Sequence, residues 1–155
     1  MRGTQTNRGQ QQRGVTLLEL IAVLAAVLVL SSIAIPAFNG YIERARIARA
    51  VSDIGTISLQ IYRWQLNTRT FPATLAEAGA GGSDPWGRPY VYLRVAGANN
   101  GELRKDHNLV PINTDFDLYS RGPDGESVAP LTAQRSRDDI VRANDGRYIG
   151  LAANY

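Results

Sequence analysis

One carboxylate, Glu19, lies inside an otherwise apolar run. Residues 15–35 read VTLLELIAVLAAVLVLSSIAI, and Glu19 is the single charge among those 21 residues. A charge at the centre of a bilayer costs about 2.5–3.5 kcal/mol even on the mildest scale, so an acid there is functional by default and wants a cationic partner. The chemistry it offers is ion pairing rather than bond making. Other residues give no support to catalysis. His107 is the only His, set beside Asp106 in the polar stretch 104–108, and reads as a solvated loop residue. No Ser stands in an elbow motif. The GAGG run at 79–82 lacks a preceding strand, a following helix and a Lys, so it is no phosphate loop. The chain has no Cys, which excludes disulfides and thiol-based metal or redox chemistry. No enzyme is expected.

Positioning Glu19 falls to a long helix. At about 1.5 Å per residue, 15–35 spans roughly 30 Å, one hydrocarbon thickness. Pro36 marks a potential kink, beyond which helical patterning resumes. Over 38–66 apolar residues recur three or four apart at Ile47, Val51, Ile54, Ile57, Ile61 and Trp64. That is the stripe of a helix with one buried face. Glu43, Arg44, Arg46, Arg49, Asp53 and Arg63 occupy the other face. The basic cluster Arg44, Arg46 and Arg49 suits lipid headgroups or acids of neighbouring subunits.

After residue 66 turn formers dominate. Alternation predicts strands at 90–95 (YVYLRV) and 116–120 (FDLYS). A weaker one at 109–112 carries Pro111, which points to an edge. RGPDGE at 121–126 is a tight loop. SRDDIVRA at 136–143 reads as a short helical turn, capped by Ser136 with acids in its first turn. Residues 148–152 form a small apolar tail. Trp86, Tyr90, Tyr92, Phe116 and Tyr119 are expected to pack the sheet onto the helix stripe. The fold class is α+β: a long N-terminal helix, transmembrane in its first half, packed on a small antiparallel sheet with irregular C-terminal loops.

Residues 1–14 hold three of the 17 basic residues and no acid, which accounts for the net charge of +3. The remainder balances, so the charge gives no reason to expect a nucleic-acid partner. A polar basic flank before an apolar span is the mark of a cytoplasmic leader. A secretory signal cut after Ser32-Ile33-Ala34 and a plain membrane anchor are the competing readings. Helical patterning beyond Pro36 argues against the first, and Glu19 argues against both.

The stretch RGVTLLEL at 13–20 resembles the class III signal of type IV pilins and of the pseudopilins of type II secretion. FPATL at 71–75, DPWGRPY at 84–90 and DLYSRGPDG at 117–125 are similar to the major pseudopilins, and the likeness weakens beyond 125. The resemblance implies a type IV pilin-like fold and a membrane peptidase that cuts between Gly14 and Val15. It further implies N-methylation of Val15, and pairing of Glu19 with the amine of a neighbouring subunit. The expected divisions are a cleaved leader (1–14), a transmembrane helix (15–35), its amphipathic continuation (36–66) and loops with a small sheet (67–155), the last two forming one periplasmic domain.

By the same resemblance the late loops bind a structural calcium ion, with Asp117 and Asp124 as the matching side-chain ligands. They could also be solvated turn aspartates. Asp138 and Asp139 are further candidates, better read as helix-capping acids. An EF-hand is excluded, because a loop begun at Asp115 would need Gly where Ser120 stands. Without an ion, packing of Ile140, Val141, Tyr148 and Leu151 would have to hold the C-terminal part. The implied function is that of a structural subunit of a periplasmic pseudopilus that drives protein export. Its implied partners are copies of itself, minor pseudopilins, the prepilin peptidase, and an inner-membrane assembly platform with its ATPase. A surface type IV pilin and a non-polymerising, membrane-anchored calcium module are the alternatives; the lack of Cys disfavours the pilin, since most pilins carry a C-terminal disulfide.

Overall fold

The computed structural model describes residues 15–155. Its first element, α1, runs Leu17–Thr68 and passes through Pro36 without interruption. The chain divides into two compact units, one through Gly40 and one from Tyr41 to Tyr155. The described part of the first is the apolar half of α1, which holds an 18-residue window of mean hydropathy 2.6. Its large side chains are exposed, Leu18 at 80% and Leu28 at 70% among them. Among the described residues of the unit nothing covers them, as a lipid- or helix-facing surface requires.

The second unit is built on a four-stranded antiparallel sheet, ordered β1 (Val91–Arg94), β2 (Phe116–Ser120), β3 (Ile140–Ala143) and β4 (Tyr148–Leu151). The registers set Tyr92 opposite Leu118, Tyr119 opposite Val141 and Val141 opposite Gly150. Side chains alternate across a pleated strand, and the burial follows. Phe116, Leu118 and Ile140 face α1 and bury its Ala50, Ile54, Ile57 and Ile61, with Tyr90 completing that core. Val141 and Ala143 point to the opposite face, where Ile112, Leu131 and Ala152 cover them. The unit therefore has three layers: helix, sheet and a layer of irregular loops.

Several sequence expectations change. Residues 136–143 do not make the expected helical turn; a single 3-10 turn at Gln134–Ser136 is followed, after residues 137–139, by β3. The Ser136 hydroxyl caps nothing there, and instead exchanges hydrogen bonds with the Val128 backbone at 2.9 and 2.8 Å. The apolar tail is strand β4. Residues 109–112 form no strand, only an isolated bridge of Pro111 to Lys105. There the Asp106 carboxylate takes the N–H groups of Asn108 and Val110 at 2.9 Å. Tyr119 packs in the loop-side cluster rather than on the helix stripe, whereas Trp86, Tyr90, Tyr92 and Phe116 belong to the helix-side core.

Candidate functional site

At the start of the described chain Val15 is 71% exposed. Gly14, the residue before the expected cut, lies outside the described residues. The Thr16 hydroxyl accepts the Glu19 N–H at 3.2 Å, and the Leu20 N–H bonds the Thr16 carbonyl at 3.1 Å. Thr16 is therefore the N-cap and Glu19 the third helical residue, the T-x-x-E spacing of a capping box. The positive end of the helix dipole also favours an acid in this turn. Glu19 thus helps to start the helix, a local task the sequence reading did not assign, while its side chain remains exposed.

The two motifs at 84–90 and 117–125 meet in space. Asp84, buried, uses Oδ1 to accept the N–H groups of Trp86 and Arg88 at 3.1 and 2.8 Å. Its Oδ2 accepts the Ser120 hydroxyl at 2.5 Å. Arg88 donates to the Gly122 carbonyl. Gly122 and Gly125 are required by contact. Each has a positive φ, 61° and 77°, and a Cβ would fall on the Asp138 carbonyl in one case and the Arg88 guanidinium in the other. The motif residues lock the end of β2 to the turn before β1.

Asp117 and Asp124 do not share a partner. Asp117 is buried, and its two oxygens accept the Arg104 N–H at 2.7 Å and the Asn113 amide at 2.9 Å. Burial pushes its carboxyl up, against these hydrogen bonds. Asp124 is exposed and accepts the Glu126 N–H at 2.7 Å, while its own N–H goes to Asp138 at 3.1 Å. Among the described residues no group of three or more acids or His sits at metal-binding spacing.

Beside Asp117 lies Arg104. Its Nη1 donates to the Ser127 hydroxyl at 2.7 Å and to the Val128 carbonyl, and Nη2 donates to Asp139 Oδ2 at 2.5 Å. The guanidinium carbon stands 4.5 Å from the centre of the Tyr119 ring. Asp139 is not a capping acid: it is fully buried, and burial pushes its carboxyl up to about 7 against the pull of the Ser127 hydroxyl and Arg104.

On the helix face a second arginine, Arg142, is equally hidden. It forms a two-pronged pair with Asp115 at 2.9 and 2.6 Å and donates to the Phe116 carbonyl at 3.0 Å and the Tyr62 hydroxyl at 2.6 Å. Its guanidinium lies 3.9 Å over the Phe116 ring. Burial raises the Asp115 carboxyl, but Arg142 and the Phe116 N–H outweigh it and hold the group below its ordinary range. Neither arginine was singled out from sequence. For Arg142 a signal existed, since alternation within a strand places it on the side of Ile140.

A helix that begins in an exposed apolar stretch with one acid, and ends packed on a four-stranded antiparallel sheet, defines a pilin-like protein. Comparison with known proteins gives the family. The chain is 30% identical over 135 residues to type II secretion system core protein G of Klebsiella pneumoniae, covering 84% of this chain and 94% of the relative. It is 33% identical over 138 residues to the protein of that name from Escherichia coli K12, at 75% and 85% coverage. The type IV major pilin protein PilE of Neisseria gonorrhoeae is 28% identical over 149 residues, at 88% and 87%. No family model matches the chain. No solved structure matches it either. At this identity and coverage the chain belongs to the core protein G family, the major pseudopilins of type II secretion.

Proposed function

We propose that the protein is the structural subunit of a periplasmic pseudopilus that drives export by type II secretion, acting by assembly rather than by catalysis. The observation that carries this is the exposed apolar half of α1, opened by Thr16 and Glu19 and followed by a folded unit with its own core. Such a helix can be hidden by lipid or by sister helices, which makes the membrane span a store of subunits. In this reading a prepilin peptidase cuts between Gly14 and Val15, and the new Val15 amine is methylated. Glu19 then pairs with the amine of a neighbour as both leave water, and removing one partner of such a pair costs about 3–5 kcal/mol. The subunit waits in the inner membrane as a single-pass protein with residues 41–155 in the periplasm. An assembly platform with its ATPase inserts it beside minor pseudopilins. The pilin relatives favour a surface fibre as the second reading.

Glu19→Gln tests the assembly role, because Gln at the third helical position preserves the capping box. The variant should insert, and intact mass should show loss of residues 1–14 and a methyl on Val15. Crosslinked fibres should fall at least tenfold. Fibres at the wild-type level would remove Glu19 from assembly. A mature chain beginning at Ile35 would mean a secretory signal instead.

A further inference from the structure

The loops against the outer face of the sheet are where the family resemblance implies a calcium ion, and all but one of the buried carboxylate oxygens there already accept hydrogen bonds. Both oxygens of Asp117 accept N–H groups, from Arg104 and Asn113. Asp139 Oδ2 accepts the Ser127 hydroxyl at 2.6 Å as well as Arg104 Nη2. The Val128 carbonyl takes Arg104 Nη1 and the Ser136 hydroxyl. In this layer, among the described residues, Asp139 Oδ1 is the one buried carboxylate oxygen without a hydrogen-bond partner. Calcium takes six to eight oxygens. One leftover buried oxygen beside a buried, permanently charged guanidinium does not fit that demand, and two cations brought side by side repel strongly where water is excluded.

We propose that the Arg104 guanidinium is the resident cation of this layer, joining the loops that a bound divalent ion would otherwise join, so that the domain folds without calcium. The joins are specific. Through its backbone N–H the residue holds Asp117 on β2. Its Nη1 holds Ser127 and Val128, and Nη2 holds Asp139, the residue that leads into β3. Two segments are thereby fixed by one side chain, whose exposure is 3%, and a third by the N–H of the same residue. A guanidinium suits the task for two reasons. It presents its N–H donors in a planar fork and stays charged at every accessible pH. Its flat face also stacks on an aromatic ring, here Tyr119 at 4.5 Å. The role does not depend on polymerisation, so failure of assembly would leave it standing.

The test uses the full chain in detergent, with unfolding followed by the fluorescence of Trp64 and Trp86. Wild-type protein is melted in calcium chloride and in EGTA, and binding of radioactive calcium is measured by equilibrium dialysis. An ion in hundredfold excess over its Kd would raise the melting temperature by on the order of 10 °C. The expected result is a shift below about 2 °C and no stoichiometric binding. A larger rise, or one calcium per chain, would overturn the proposal, since Arg104 would then have to swing aside for the ion. Arg104→Met is the second arm. It should melt several degrees lower, or fail to fold, in both buffers alike. Melting at the wild-type temperature would show that the guanidinium holds nothing, and would equally overturn the proposal.

Discussion

Arg142 and Arg104 occupy opposite faces of one small sheet, and their surroundings differ. Arg142 sits where regular structure meets regular structure. Its partners belong to α1, β2 and the residues just before β2, and strand alternation alone aims it at the helix. Arg104 sits where there is no regular structure, and its side-chain partners lie 23 to 35 residues away in loops. The first cation sits within a core that hydrophobic burial has already assembled. The second takes the place of a core, because the loop layer buries few large apolar groups, with Ile112 and Leu131 the principal ones contributed by the loops themselves. A domain short of apolar surface needs some other fastening, and polar side chains supply it here.

If that contrast holds, removing Arg142 has the larger effect. Arg142→Met takes the guanidinium away from the Asp115 carboxylate and the Phe116 carbonyl and should cost about 3–5 kcal/mol. It should unfold helix and sheet together, read as one cooperative transition in the far-ultraviolet circular dichroism of the full chain. A local change confined to residues 103–139 would break the comparison. Gly122→Ala comes next. The added methyl meets the Asp138 carbonyl at a φ of 61°, and overpacking of this kind costs about 1–3 kcal/mol. Limited proteolysis should then cut within 121–139 while α1 stays protected.

The smallest effect separates the two pairs by sign. Asp115 titrates below its ordinary range in the folded state, so its contribution is complete above about pH 4 and fades as the pH falls further. Asp139 is raised to about 7. Its contribution is greatest below about pH 4, declines as the pH rises toward 7, and is level beyond. Melting temperatures of wild type minus Asp139→Asn should therefore drop between pH 4 and 7. Wild type minus Asp115→Asn should drop only on acidification. Slopes of one sign for both would mean that the two faces are electrostatically alike.

Much of the helix face was legible in the sequence. The three-to-four spacing of Ile47, Val51, Ile54, Ile57 and Ile61 marks α1, because a long element repeats its period often enough to be read, and β1 and β2 stand out by aromatic residues in alternation between turn formers rather than by length. β3 and β4 are four residues each and hold only two repeats. In β3 the acids Asp138 and Asp139 behind Ser136 imitate a helix start. Register with β2 and β4 decides the matter, and it is invisible locally. The late motifs were recognisable, but their purpose was not: Asp84 and Ser120 meet only in three dimensions. Arg104 lies in a run of polar residues that reads as solvated surface. Nothing local announces a buried arginine when its acceptors come from distant loops.

Asn113 stands between the two faces. Its amide nitrogen donates to Asp117 on the loop side and to the Arg142 carbonyl, while its oxygen accepts from Arg142 Nη1 at 3.3 Å and from the Asp145 N–H at 3.0 Å. One amide side chain thus wires the cation of one layer to the carboxylate that anchors the other. Neither layer can loosen without stranding a buried donor or acceptor in its neighbour. The consequence is mechanical: a pull applied to the loop at Asn113 is shared with the helix-side core at once.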